Sequence, residues 1–206
     1  MDAPCIGRRG GGARLQKIRP GARLRLVSHP STLPEILDAL DSNSRRAAEL
    51  FATVPEALLF DGDSEHWSPA HHLVHLTAVA KAVARELSSD SLPLHATGSS
   101  RPYAEVRDAV AASLVATPKE TLVQMGRRVE IAVTDRRELV ESFESASRAL
   151  RSAAGVWSED ELDRRAMRHV LAGVLSVREM LMFMVFHERH HMKIVRRRVE
   201  SEARDA

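Results

Sequence analysis

The sequence has little of what marks several large classes of protein. Of its 206 residues only one, Cys5, is a cysteine, which excludes an internal disulfide framework and suits a reducing compartment. No apolar run approaches the roughly 20 residues that a membrane-spanning helix needs. The formal net charge is only +2 at pH 7, which does not demand a nucleic-acid partner. We therefore expect a cytoplasmic protein that binds neither membrane nor nucleic acid.

Several common catalytic motifs are also missing. The chain has no glycine-rich phosphate loop, no serine-nucleophile elbow and no pair of cysteines separated by two residues. Cys5 lies in a segment rich in glycine and arginine and is a poor candidate for a nucleophile. The sequence therefore identifies no catalytic residue by motif.

Residues 1–30 differ in composition from the rest of the chain. They include Pro4, Gly10–Gly12, Pro20 and six arginines, but no apolar core of a signal peptide. We expect a flexible basic N-terminal arm over residues 1–30 and one helical domain over residues 31–202. Contact of this arm with an anionic partner is the alternative interpretation.

What the chain does contain is a series of helix-start signals. A capping box is a Ser or Thr followed three residues later by Glu, and it recurs before apolar residues with helical spacing. Thr32 and Glu35 form one such box, Ser176 and Glu179 form another, and Ser68 precedes a proline suited to a first helical turn. These signals and the apolar spacing predict four long helices, over about 33–52, 69–87, 136–153 and 177–202.

Secondary structure is hardest to predict from the sequence over residues 88 to about 134. We expect a long connection that carries one or two helices, because a structureless loop of that length is rare in a compact domain. No alternating pattern is long enough to indicate a strand. The prediction is therefore an all-α protein, an antiparallel four-helix bundle with a long crossover connection.

Histidines on the last predicted helix carry the main functional signal. Residues three and four apart share a helical face, so Met184, His187, His191 and Ile194 fall on one apolar stripe. Two imidazoles one turn apart can bind one divalent metal ion, and Zn, Ni, Fe and Mn all accept imidazole. Without a metal, such histidines would need hydrogen-bond partners instead. A third ligand would come from the second helix, where the candidates are His71, His72 and His75.

Helical geometry alone does not choose among those candidates. By its angle around the helix axis, His72 lies nearer the centre of the apolar stripe than His75, which lies at its flank.

Metal binding requires neutral imidazole, so metal affinity should fall as the pH drops below roughly 6. Farther along the last helix, we expect Arg196–Arg198 to form a solvated helix end, and binding of an anionic substrate is the alternative interpretation.

Five short stretches together resemble the DinB-like superfamily. They run from Trp67 to Leu76 and over residues 143–150, 158–162, 176–180 and 187–191. The resemblance implies a four-helix bundle that forms a homodimer and holds a metal with His75, His187 and His191. The chain departs from the family pattern in its N-terminal arm, in its long middle segment, and at His72, where an aliphatic residue is usual. His72 with His187 and His190 is the alternative set of ligands.

The same resemblance suggests a function. Some members of this superfamily are metal-dependent S-transferases or isomerases that use a low-molecular-weight thiol, here with a small electrophilic substrate. An open position on a metal held by three histidines can bind a thiol as thiolate, which is the reactive form. A metal-dependent hydrolase would use the same chemistry with water. The alternative from another class is a non-enzymatic dimeric bundle that binds metal or a partner protein.

Overall fold

The computed structural model describes residues 29–63, 66–89, 91–126 and 129–205, and these residues form helices and one short hairpin. The elements in chain order are α1 (Leu33–Thr53), α2 (Glu56–Leu59), α3 (Pro69–Leu87), α4 (Tyr103–Ala116), α5 (Lys119–Gly126), α6 (Arg136–Ala154), α7 (Glu159–Arg164), β1 (Ala166–His169), β2 (Gly173–Ser176) and α8 (Val177–Asp205). The four long helices α1, α3, α6 and α8 match the four predicted helices to within a few residues. The prediction of an all-α fold is confirmed.

The long helices begin where the capping signals predicted. Before α8, the hydroxyl of Ser176 accepts the backbone N–H of Glu179 at 3.1 Å, and the Glu179 carboxylate accepts the backbone N–H of Ser176 at 3.2 Å. The side chains of Thr32 and Ser68 cap α1 and α3 in the same way. Each cap satisfies backbone donors that have no partner within the helix, so these side chains fix where the helix starts.

The four long helices pack as a bundle in which α1 and α3 each contact both α6 and α8. Arg136, at the start of α6, donates to the carbonyl oxygen of Phe51 near the end of α1, so α1 and α6 run antiparallel. Arg198, near the end of α8, donates to the carbonyl oxygen of Trp67, just before α3. Helices α3 and α8 are therefore also antiparallel, which brings the start of α3 beside the second half of α8.

The crossover connection between α3 and α6 contains α4 and α5, as predicted. Helix α4 packs against α8 and so forms an additional layer outside the four-helix bundle. The indole N–H of Trp157, which follows α6, donates to the carbonyl oxygen of Leu87 at the end of α3. Helices α3 and α6 therefore end at the same end of the bundle, and the long connection returns the chain along its length.

A small β-hairpin precedes α8, which the sequence did not predict. Strands β1 and β2 pair antiparallel, with Ala166 opposite Ser176 and His169 opposite Gly173. Gly173 has a φ of +76°, a conformation that favours glycine at the turn. Strands of four residues are too short to show a reliable alternation, and the hairpin depends on packing beside α7 and α8.

A layer of polar side chains divides the core of the bundle in two. We call Asn43 of α1, Ser147 of α6 and Glu188 of α8 the polar layer, and all three are buried. In α1 the residues before Asn43 belong to one hydrophobic cluster and those after it to a second, and in α8 the same change of cluster occurs across Glu188. Large buried side chains of the two clusters include Ile36, Leu40 and Leu150 on one side and Phe51, Leu73 and Phe143 on the other.

Two further sequence expectations concern the N-terminus and membranes. Most of the predicted arm, residues 1–28, lies outside the described residues. Its last two residues contact the helical domain, because the ring of His29 lies 4.9 Å from that of Tyr103 at the start of α4, and Pro30 is buried. In the described part of the chain, no helix has a sufficiently long and apolar stretch to cross a membrane.

Candidate metal centre

The centre begins with two histidines on the second half of α8. His187 and His191 lie one helical turn apart, and their Nε2 atoms approach to 3.0 Å. The expected apolar stripe does not continue through Ile194, which is 38% exposed, because the inward face passes instead through Val195, four residues after His191. The helix therefore directs the two imidazoles to one point, where a third ligand can meet them.

The third histidine comes from α3. The Nε2 atom of His75 lies 3.0 Å from that of His187, and single ligand atoms from His75, His187 and His191 all lie within 4.8 Å of one another. A tetrahedral zinc ion with bonds of about 2.0–2.1 Å would separate its nitrogen ligands by about 3.3 Å. The structure thus brings together the three predicted ligands, and their separations suit a single ion. We call His75, His187 and His191 the convergent group.

The other candidate histidines have different positions. His72 is more deeply buried than His75, as its helical angle indicated, but its Nδ1 faces Nδ1 of His191 at 2.7 Å. The His71 ring accepts from the backbone N–H of Ser68 and belongs to the cap of α3. His190 is half-buried beside Phe186 and does not belong to the convergent group. We call His72, His75, His187 and His191 the histidine cluster.

Burial keeps the histidine cluster in its neutral form. Desolvation, and then repulsion from neighbouring histidines, lowers the pKa of His187 and of His191 well below the ordinary value of 6.5. The same causes lower the pKa of His72 to about 4, and desolvation lowers the pKa of His75. Neutral imidazoles offer the lone pairs that a metal ion requires, so the cluster is prepared to bind metal near neutral pH.

Aromatic side chains surround the cluster. The Trp67 ring lies 5.1 Å from that of His75 and 6.0 Å from that of His191, and the Phe183 ring stacks on His187 at 4.8 Å. Arg198 fixes the backbone of Trp67 through the hydrogen bond to its carbonyl oxygen and also pairs with Asp61 at 2.7 Å. Arg198 is therefore not a purely solvated residue at a helix end, as the sequence suggested, but supports the wall of the site.

Glu188 is a buried ionisable residue to which the sequence analysis assigned no role. His187, Glu188 and His191 spell H-E-x-x-H, a pattern in which zinc metalloproteases use the glutamate as general base. Here Glu188 hydrogen-bonds Asn43 of α1, whereas His187 faces His75 of α3, so the carboxyl lies on another side of α8. Desolvation raises the pKa of Glu188 to about 8. The residue does not have the position of a metalloprotease base.

The chemistry of the convergent group fits a divalent metal. Three neutral nitrogens meet at one point, and no carboxylate belongs to the group among the described residues. The Nδ1 atom of His187 is buried and has no hydrogen-bond partner in the described part of the chain. With a metal on Nε2, the single proton of the neutral His187 ring would lie on this Nδ1. The arrangement can therefore bind an ion such as Zn, Ni, Fe or Mn with an open position left over.

Comparison with known proteins agrees with this geometry. Residues 39–195 match the sequence profile of the DinB superfamily, and this range contains α3 and all four members of the histidine cluster. No curated protein and no solved structure gave a match. The profile covers most of the chain and includes the bundle and its histidines, and the protein therefore belongs to the DinB superfamily.

Proposed function

We propose that the protein is a divalent-metal enzyme that activates a low-molecular-weight thiol for transfer to a small electrophile. The observation that carries the proposal is the convergence of three neutral imidazoles, from His75, His187 and His191, with no carboxylate in the group. Neutral ligands leave the full charge of a divalent ion uncompensated, which favours an anionic fourth ligand. A metal bound there would lower the pKa of a thiol and keep it as the nucleophilic thiolate.

The residues around the group support this chemistry. Trp67 and Phe183 provide aromatic surfaces against the imidazoles, which reduces the access of water and strengthens electrostatic interactions at the site. The three ligand histidines hold the ion, and the aromatic wall excludes solvent.

A hydrolase is less well supported by the geometry. In metalloproteases with the H-E-x-x-H pattern a glutamate removes the proton of the metal-activated water, and Glu188 is the residue that the pattern would assign to that task. Its carboxyl is buried against Asn43, away from the convergent imidazoles. The proposed homodimer and the identities of the thiol and the electrophile stay predictions.

Metal analysis beside an activity assay tests the proposal. The full-length protein, loaded separately with Zn, Ni, Fe or Mn, should bind about one ion per chain. His187→Ala should remove most of the metal, because the remaining two histidines lie on different helices. His71→Ala is the matched control and should retain the metal, since the ring of His71 accepts from Ser68 at the start of α3 and its nitrogens do not belong to the group of three converging ligands.

The loaded protein should then conjugate one of several low-molecular-weight thiols to a chromogenic electrophile. We expect this conjugation to disappear in the His187→Ala protein and to persist in the His71→Ala protein. Full metal content in the His187→Ala protein would contradict the metal centre. Equal conjugation by the loaded wild-type and His187→Ala proteins would contradict the proposed use of the metal.

A further inference from the structure

His191 uses its two ring nitrogens toward two different neighbours. Its Nε2 faces Nε2 of His187 at 3.0 Å, within the convergent group. Its Nδ1 faces Nδ1 of His72 at 2.7 Å, on the other side of the ring. Both rings of this second contact are buried, so solvent does not compete for it. A nitrogen–nitrogen contact this short requires one ring to donate a hydrogen and the other to accept it.

The direction of this hydrogen bond follows from the task of the metal centre. A neutral imidazole carries one proton, on either Nδ1 or Nε2. If Nε2 of His191 offers its lone pair to a metal, the proton must be on Nδ1, where it can be donated to Nδ1 of His72. His72 then accepts with Nδ1 and carries its own proton on Nε2.

We propose that His72 is a positioning residue that accepts the Nδ1–H of His191 and thereby directs the Nε2 lone pair of His191 into the metal centre. The inference rests on the metal centre proposed above. Histidine ligands of metals generally donate their other N–H to an acceptor that fixes tautomer and orientation. In this chain the acceptor is an imidazole at a position where the sequence resemblance led us to expect an aliphatic side chain.

His187 differs from His191, because its second ring nitrogen has no such hydrogen bond. Its Nδ1 is buried without a hydrogen-bond partner in the described part of the chain, and its ring is held by stacking on Phe183. His72 itself is held in place, because it is 8% exposed on α3 and its ring lies edge-on to Trp67 at 5.2 Å. Packing therefore orients His187, whereas a hydrogen bond orients His191.

Three variants of the full-length chain separate this role from general packing. His72→Leu removes the acceptor and keeps an apolar side chain in the buried position. His72→Asn places an amide oxygen where Nδ1 was, so it can accept the same hydrogen bond. His66→Leu makes the same chemical change at an exposed histidine of the loop before α3 and is the matched control.

The probe is zinc, with affinity measured by competition against a chromophoric chelator. We expect His72→Leu to weaken zinc binding about 10- to 100-fold, the usual effect of losing such an acceptor. His72→Asn should recover most of that loss, and His66→Leu should bind as the wild type does. Wild-type affinity in the His72→Leu protein would overturn the proposal. If His187→Ala also bound zinc like the wild type, the metal centre itself would be wrong.

Nuclear magnetic resonance on the zinc-loaded wild type gives a second readout, which needs no variant to fold. Ring nitrogen shifts of ¹⁵N-labelled histidines report which nitrogen carries the proton. We expect His191 protonated at Nδ1, His72 protonated at Nε2, and a nitrogen–nitrogen coupling across the hydrogen bond between their Nδ1 atoms. His72 protonated at Nδ1, or His191 protonated at Nε2, would overturn the assignment.

Discussion

His187 and Glu188 are neighbours in sequence, yet they belong to two different buried polar regions. His187 lies in the histidine cluster between α3 and α8, and Glu188 lies in the polar layer with Asn43 and Ser147. Desolvation shifts both pKa values toward the neutral form, downward for His187 and upward for Glu188. The consequences differ, because a neutral imidazole exposes a lone pair whereas a neutral carboxyl carries a proton on oxygen.

The two regions also differ in the atoms that their polar side chains contact. In the histidine cluster, nitrogens from three rings face one another, an arrangement that gains from an added cation. In the polar layer, Asn43 donates to the carbonyl oxygen of Val185 and accepts from Arg189, so its side chain also serves the backbone of α8. Desolvation therefore leaves lone pairs that a cation can use in one region and a packed internal contact in the other.

The largest expected effect is the pH dependence of metal binding by the histidine cluster. Protons compete with the metal for the imidazoles, and the pKa values of His187 and His191 lie well below 6.5. Zinc affinity should therefore stay nearly constant down to the ordinary histidine pKa of 6.5 and fall only at lower pH, by about tenfold per pH unit for each competing proton. Competition titrations at a series of pH values measure this.

The same titration distinguishes the two regions. Glu188→Gln should leave the zinc profile unchanged, because the carboxyl faces Asn43 on α1. A zinc affinity that already falls above pH 6.5 would contradict the lowered histidine pKa values. A pH profile that shifts in the Glu188→Gln protein would show that the polar layer and the histidine cluster are not independent.

Glu188→Gln should instead change the stability of the fold. The pKa of Glu188 is raised from 4.5 to about 8, so between these values the unfolded chain loses its proton while the folded chain keeps it. Wild-type stability should fall as the pH rises through this window, by about 1.4 kcal/mol per pH unit from this residue. Glutamine cannot ionise, and the variant should be about 3 kcal/mol more stable than the wild type at pH 7.

Urea unfolding at several pH values between 4.5 and 8 measures the difference. It should be small at the acidic end and grow toward the alkaline end. A difference that is independent of pH would show that the carboxyl ionises in the folded protein as it does in the unfolded chain.

The smallest expected effect concerns Ser147, whose hydroxyl is buried with no hydrogen-bond partner in the described part of the chain. A buried unpaired hydroxyl costs free energy, so Ser147→Ala should be neutral or stabilising by up to about 1 kcal/mol. The metal content should not change, because Ser147 lies on α6, outside the histidine cluster. Destabilisation by more than about 1 kcal/mol would instead reveal a bound water that bridges Ser147 within the polar layer.

The local sequence was sufficient to predict where most of the long helices begin. Thr32, Ser68 and Ser176 each place a side-chain acceptor where the first N–H groups of a helix need one, so the starts of α1, α3 and α8 were predicted correctly. The hairpin before α8 was missed, because four-residue strands acquire their stability from neighbouring elements and show little local pattern.

For the candidate site, the sequence by itself determined that His187 and His191 share a face, because helical periodicity sets the angle between residues four apart. Only the tertiary structure decided that His75, at the flank of α3, reaches His187, while the more deeply buried His72 meets the outer nitrogen of His191. The antiparallel pairing of α3 with α8 sets these distances. Periodicity within one helix gives a direction for each side chain, but the packing of two helices determines which atoms it meets.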